Sequence, residues 1–263
     1  LADVKNEEHK YDRTNILGIE MHRISFDDTV DWIMRRVEEG GPVFAVTPNV
    51  DHTNHYRKSA DYRGLIQEAH LVVADGVPLL WAAKLLGAPL KGRVNGTDLF
   101  EAVARECALA GRSVFLMGGL PGVAETCGDI LRNTSPDLKI AGAYSPAKGY
   151  LNDEQECARM VEAVKAAAPD VLFVGLPGPG AEVWIHRHYK KCGVPVSINV
   201  GASFDFVSGN VKRAPAVFQK TGMEWFYRLV SQPKKLWRRY VLGNPVFLAR
   251  LFWQLLTNRQ RKK

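Results

Sequence analysis

The sequence predicts an α/β fold, a mostly parallel, Rossmann-like three-layer sandwich, followed by a basic, amphipathic helical appendage. Three observations carry this reading. Short apolar runs alternate with helical stretches of about 10–15 residues, the pattern of strands buried on both faces between crossover helices. Hydrophobic residues make up 46% and charged residues 24%, and the mean hydropathy is −0.16 without an 18-residue apolar run. That composition is globular and excludes a polytopic membrane protein. Finally, no linker, repeat or low-complexity block divides residues 15–210. The expected organisation is a polar leader over 1–14, one core over 15–210 and the appendage over 211–263.

The elements follow in order. The leader reads LADVKNEEHKYDRTN into the core and has no apolar signal core. NILGIEMHRIS predicts a strand or hairpin with Gly18 in the turn. FDDTVDWIMRRVEEGG predicts a helix capped by Asp27 or Asp28 and stopped by Gly40-Gly41, with Val30, Ile33, Met34 and Val37 spaced along one face. PVFAVTPNV is a buried strand ending at Pro48, a polar helix spans roughly 52–68, and HLVVADG is a second buried strand. VPLLWAAKLLG is helical up to Gly87, and TDLFEAVARECALAG is an amphipathic helix with Thr97 as its expected cap. Strands SVFLMGG, LKIAGAY, DVLFVGLP and VPVSINVG then alternate with helices over GVAETCGDILRNTSP, NDEQECARMVEAVKAAAP and AEVWIHRHYKKCG.

Charge separates the appendage from the rest. Residues 211–263 hold 13 Lys/Arg and one acid, Glu224, for +12, within a chain of net charge +7. The other residues therefore carry −5, so the basic stretch is expected to face something anionic. It is also greasy, with Trp225, Phe226, Leu229, Trp237, Phe252 and Trp253. Helices with Trp, Phe and Leu on one face and Lys or Arg on the other read as an interfacial anchor. A helix pair packed on the core with a solvated basic face, and a nucleic-acid-binding tail, are the alternatives.

In parallel sheets, chemistry collects at the carboxyl ends of the strands. Those ends are Thr47-Pro48-Asn49, Ala74-Asp75-Gly76, Met117-Gly118-Gly119, Gly175-Leu176-Pro177-Gly178 and Val200-Gly201-Ala202-Ser203. Glycine-rich turns before helices let backbone amides approach a phosphate, although each one also reads as a plain tight turn. Asp75 is the sharpest candidate, either a base accepting a proton from an attacking hydroxyl or an N-cap for the helix near Pro78. Walker, GxSxG, HExxH and DxD patterns are absent. The pairs His52/His55 and His186/His188 lack an evident third ligand and read as solvated rather than metal-binding. Cys107, Cys127, Cys157 and Cys192 lie far apart, which fits a reduced cytoplasmic protein.

Four segments together carry a resemblance. VTPNVDH (46–52), VVADGVPLLWAAKLLGAPLKGRVNGTDLF (72–100), FVGLPGPGAEVWI (173–185) and GASFDFVSGNVKRAPAVFQKTGMEWFYRLVSQPKKLWRRY (201–240) resemble, in order and spacing, the WecG/TagA/CpsF glycosyltransferase family. The resemblance runs from about Asn15 to about Val246. It implies an inverting, metal-independent transferase that needs no cofactor, takes a UDP-sugar donor and extends a sugar on undecaprenyl diphosphate. The transferred sugar would be N-acetylmannosamine-type or glucose, in teichoic acid or exopolysaccharide assembly. The implied location is peripheral, on the cytoplasmic face of the membrane, with an anionic membrane surface as partner, no nucleic acid, and a homo-oligomer in prospect. A nucleotide-binding α/β protein without transferase activity is the rival reading.

Carried over by residue, the resemblance makes Asp75 the general base. Thr47 and Asn49 of the TPN motif, Arg93 and Asp98 of RVxGxD, and Gly201 and Asp205 of GASFD are implied to bind substrate. Arg228, Lys234, Lys235, Arg238 and Arg239 are implied to meet the lipid diphosphate or the membrane. One departure stands out: Ala181 occupies the position of a family Gln thought to contact substrate. No metal ligand is implied.

Overall fold

The computed structural model describes residues 11–215, 217–218, 223–237, 241 and 243–261. Residues 1–10 of the leader, and Arg238 and Arg239, lie outside them, as does the side chain of Lys235. Strands β1 (Arg13–Ile16) and β2 (Ile19–His22) pair as an antiparallel hairpin turning through Leu17 and Gly18. The main sheet comprises β3 (Val43–Val46), β4 (Leu71–Val72), β5 (Ser113–Gly118), β6 (Lys139–Tyr144), β7 (Val171–Gly175) and β8 (Val196–Asn199). Its order is β4-β3-β8-β7-β5-β6, and all its pairings are parallel. Strands β3 and β7 are buried along their whole length, hence their unbroken apolar sequences.

In chain order the helices are α1 (Phe26–Glu39), α2 (Val50–Lys58), α3 (Ala60–Glu68), α4 (Val77–Leu85), α5 (Gly96–Leu109) and α6 (Val123–Thr134). They continue with α7 (Glu154–Ala167), α8 (Gly180–Cys192), α9 (Ser203–Val207), α10 (Glu224–Ser231), α11 (Pro233–Trp237) and α12 (Gly243–Arg261). One face of the sheet packs against α2, α3, α4, α7 and α8 together with the hairpin. The other packs against α1, α5, α6 and α9. The three layers are those expected from the alternation of strands and helices.

Several local expectations are corrected. Ser25, not Asp27 or Asp28, caps α1: its hydroxyl oxygen accepts from the Asp28 N–H while its O–H donates to the Asp28 carboxylate. Asn95, not Thr97, caps α5, accepting from the N–H groups of Thr97 and Asp98. The polar helix over 52–68 is two helices, because Ser59 takes an extended conformation, ends α2 and caps α3. Strand β4 pairs over only two residues, yet its backbone stays tied to the end of β3 through Val73 N–H to Val46 O (3.0 Å) and Asp75 N–H to Pro48 O (2.8 Å). Those two bonds fix Asp75 at the sheet's rim.

Helix α12 is packed on the core. Phe247 and Leu251 are buried in the first-face cluster, each contributing about 1.5–3 kcal/mol of hydrophobic stabilisation. The Arg250 guanidinium donates to the carbonyls of Thr53 (2.9 Å) and Leu17 (3.1 Å), and Gln254 bonds Asn15 and Leu17. Leu248, Phe252 and Leu256, one residue on from that buried edge, are exposed.

Candidate active site

The carboxyl ends of β3, β4, β7 and β8 open into one cleft with two branches. The polar branch, about 210 Å³, is lined by Thr47, His52, Gly175, Gly178, Glu182, Asn199, Gly201 and Asp205, with Gln232 and Leu236 from the appendage. The second branch, the more apolar of the two, is lined by Val50, Gly76, Val77, Pro78, Trp225 and Asn244, with Arg93 as a cation of its own. Asn49, Asp51, Asp75, Asn95, Glu224 and Arg228 line both branches.

At that junction the two sequence readings of Asp75 separate. Gly76, at φ 152, occupies the N-cap position of α4 and makes no side-chain cap bond. The Asp75 carboxylate turns instead to Asn95, whose Nδ2 donates to Oδ1 at 3.2 Å. Asn95 has no freedom to flip, because its Oδ1 is already accepting the N–H groups that open α5. Oδ2 of Asp75 has no hydrogen-bond partner among the described residues. Burial pushes the pKa of Asp75 up; Arg93 and Arg228 oppose that rise, and Glu224 adds to it. A carboxylate of raised basicity, half-buried and held by one oxygen, is equipped to take a proton.

The cations beside it are anchored by a small network. Arg93 pairs with Glu224 (3.5 Å) and Asp98 (3.9 Å), and Arg213 donates to Asp98 at 2.5 Å. Arg228 lies with its guanidinium carbon 5.3 Å from the Phe206 ring centroid, and its Nε is buried without a hydrogen-bond partner among the described residues. The N-termini of α2 and α5 border the cleft, and their dipoles favour negative charge there. Among the described residues, no group of three or more His, Cys, Asp or Glu is arranged to hold a metal ion.

Of the residues singled out from sequence, Thr47, Asn49, Asp75, Arg93, Gly201, Asp205 and Arg228 all reach the cleft. Asp98 does not; its carboxylate is turned to Arg213 and Arg93, making it a support for those cations. Lys234 is exposed on α11, away from both branches. Ala181 is fully buried in the core and lines neither branch.

Sequence reasoning missed Asn95, Glu224, Asn199 and the pair His52–Glu182. His52 is not solvated: its Nδ1 accepts from the Asn49 N–H (3.2 Å), so Nε2 carries the proton and donates to Glu182 at 3.0 Å. His186 pairs with Glu68 at 2.8 Å. The available signal for Asn95 was its place before Gly-Thr-Asp, a helix-start pattern. His52 and Glu182 lie 130 residues apart and left no local signal.

Comparison with known proteins finds relatives over most of the chain. An enzyme of Bacillus spizizenii named N-acetylglucosaminyldiphosphoundecaprenol N-acetyl-beta-D-mannosaminyltransferase is 32% identical over 213 residues, 81% of this chain and 80% of its own. A Staphylococcus aureus protein (strain MW2) of the same name is 29% identical over 249 residues, 91% of this chain and 94% of its own. The family model described as Glycosyl transferase WecG/TagA/CpsF family matches residues 14–261, taking in the sheet, the cleft and the helices that complete it. With the match running through every element that lines the cleft, the chain belongs to the WecG/TagA/CpsF glycosyltransferase family.

Proposed function

We propose that this protein moves a hexose, N-acetylmannosamine or glucose, from a UDP-sugar to a sugar on undecaprenyl diphosphate in the assembly of a bacterial cell-surface polysaccharide. The observation that carries the reading is Asp75, which lines both a polar and a more apolar branch of one cleft. The polar branch suits a sugar nucleotide and the apolar one a lipid-linked acceptor. The relatives' names specify such an acceptor, N-acetylglucosaminyldiphosphoundecaprenol.

The chemistry follows from the groups at the junction. An acceptor hydroxyl oxygen bonds to the anomeric carbon of the donor as the bond from that carbon to the UDP oxygen breaks. The hydroxyl proton passes to Oδ2 of Asp75, and attack from the face opposite UDP inverts the anomeric centre. UDP leaves with the bonding pair, and Arg228, which lines both branches, and the two helix N-termini stabilise its charge. The direct test offers purified protein a short-chain polyprenyl-diphosphate N-acetylglucosamine with a panel of UDP-sugars, reading products by mass. Transfer from UDP-N-acetylmannosamine or UDP-glucose is expected; absence of any product across the panel defeats the reading.

Because Arg228 and helix dipoles carry the leaving-group charge in this mechanism, EDTA is expected to leave the rate essentially unchanged. Loss of activity on chelation, restored by Mn2+, would require a carboxylate pair that this mechanism does not use.

The reading also assigns the protein to the cytoplasmic membrane face as a peripheral enzyme. No helix among the described residues is long and apolar enough to cross a membrane. Trp253 is 68% exposed and Phe252 63% on α12, and Trp81 is 60% exposed on α4. Trp81 lies one turn beyond Val77, which lines the apolar branch. Basic residues such as Lys234 add about 1 kcal/mol each near an anionic surface. Replacing Phe252 and Trp253 together with Ser leaves Phe247, Leu251 and Arg250 packed, so the fold should hold. Sedimentation with anionic vesicles is expected to weaken by about tenfold or more; unchanged binding would remove α12 from the anchor.

A further inference from the structure

Glu182 opens α8 beside the cleft and is 2% exposed. Its Oε1 accepts two hydrogen bonds, from His52 Nε2 (3.0 Å) and Asn199 Nδ2 (2.8 Å). Its Oε2 is buried and has no hydrogen-bond partner among the described residues. A buried carboxylate oxygen left in that state is costly, and native structures seldom tolerate it without a partner to come. The carboxylate also faces a gap maintained by glycine, since a Cβ on Gly178 would lie 2.9 Å from both of its oxygens. Burial works against ionisation of Glu182, but the hydrogen bonds from His52 and Asn199 outweigh it and hold the carboxyl below its usual value. An ionised carboxylate only accepts, so what completes it is a donor.

We propose that Glu182 is a specificity-determining residue of the polar branch, its Oε2 accepting a hydrogen bond from a hydroxyl of the bound sugar nucleotide. The proposal rests on the transferase reading and adds a residue the family resemblance did not assign. The sugar nucleotide, rather than the acceptor, is the source, because Glu182 lines the polar branch alone. Asn49 connects this carboxylate to the junction: its N–H fixes the His52 tautomer, and its side chain lines both branches. Recognition of a hydroxyl and placement of the reacting carbon beside Asp75 thus share one scaffold. A donor lacking that hydroxyl leaves Oε2 unsatisfied, which is how such a site rejects it.

The test measures binding of UDP and of UDP-N-acetylmannosamine and UDP-glucose by calorimetry, with KM and kcat for donor and acceptor, in wild type and Glu182→Gln. The amide keeps the size and an oxygen for His52 and Asn199, so the melting temperature serves as the control for folding. The expected result is a donor KM raised on the order of tenfold or more, with acceptor KM unchanged. Weakened UDP binding identifies a ribose hydroxyl; unaltered UDP binding with weakened UDP-sugar binding identifies a hexose hydroxyl. Should the variant fold poorly, wild type tested against monodeoxy donors and 2′-deoxy-UDP decides: one deoxy position must cost about tenfold or more. Equal affinity for every deoxy analogue, or a Glu182→Gln effect confined to acceptor KM, overturns the proposal while leaving the transferase reading intact. If wild type binds none of these nucleotides, the transferase reading itself falls, and this proposal with it.

Discussion

Asp75→Asn is expected to lower kcat on the order of 100-fold or more while leaving UDP-sugar binding close to wild type. The amide keeps an oxygen for the Asn95 bond and the size of the group, and it removes only the basicity. Two further readouts separate a base from a structural residue. In wild type, kcat should fall on the acid side with a midpoint above the ordinary carboxylate range, because burial raises the pKa of Asp75. The same shift has a sign for stability. A carboxyl whose folded pKa is raised binds its proton more tightly when folded, so its effect on stability worsens as pH rises from the unfolded pKa through the folded one. Above that window the cost is fully present, and Asp75→Asn should relieve it: the variant melts no lower than wild type at neutral pH, and higher if nothing else moves. Near-normal turnover, or a melting temperature well below wild type, would return Asp75 to an architectural role.

How far the sequence carried the reader depends on the range of the interactions involved. The sheet was legible because β3 and β7 are buried on both faces and must be apolar throughout, a local signature. Asp75 was legible because a charge directly after Leu71-Val72-Val73-Ala74 has few reasons to be there. Its role as cap or base was not, since that turns on Asn95, twenty residues later, reaching across to it. The caps lie two to three residues ahead of the expected ones, as Ser25 and Asn95 outcompete nearby polar residues of similar propensity. His52 reads as solvated because its neighbours in sequence are polar; its partner in space, Glu182, comes from α8. The greasy, basic stretch presented a surface anchor, and α10 does carry exposed Phe226 and Val230. The same short helix also brings Glu224, Trp225 and Arg228 into the cleft, a double use that its sequence pattern cannot reveal.

Arg228→Ala is expected to lower kcat by about 100- to 1,000-fold, the range for removing a preorganised group that stabilises developing charge. Arg228 lines both branches beside Asp75, and its Nε is buried without a hydrogen-bond partner among the described residues. Arg93, by contrast, is already engaged by Glu224 and Asp98, so less of its charge is free for a departing diphosphate. The packing against Phe206 orients the guanidinium before substrate arrives, so its alignment needs little reorganisation at the moment of bond cleavage. Arg228→Lys should recover only part of the rate, since an ammonium keeps the charge but not the planar fork that grips a diphosphate. A second, independent signature comes from the pH profile. Arg228 holds the pKa of Asp75 down against burial, so its removal should move the acid limb of the remaining activity to higher pH. A residue that merely braced α10 would lower activity with the limb unmoved. A fall in kcat together with an upward shift of the limb therefore identifies Arg228 as a cation acting at the reacting atoms, supplied to the core's cleft by the appendage.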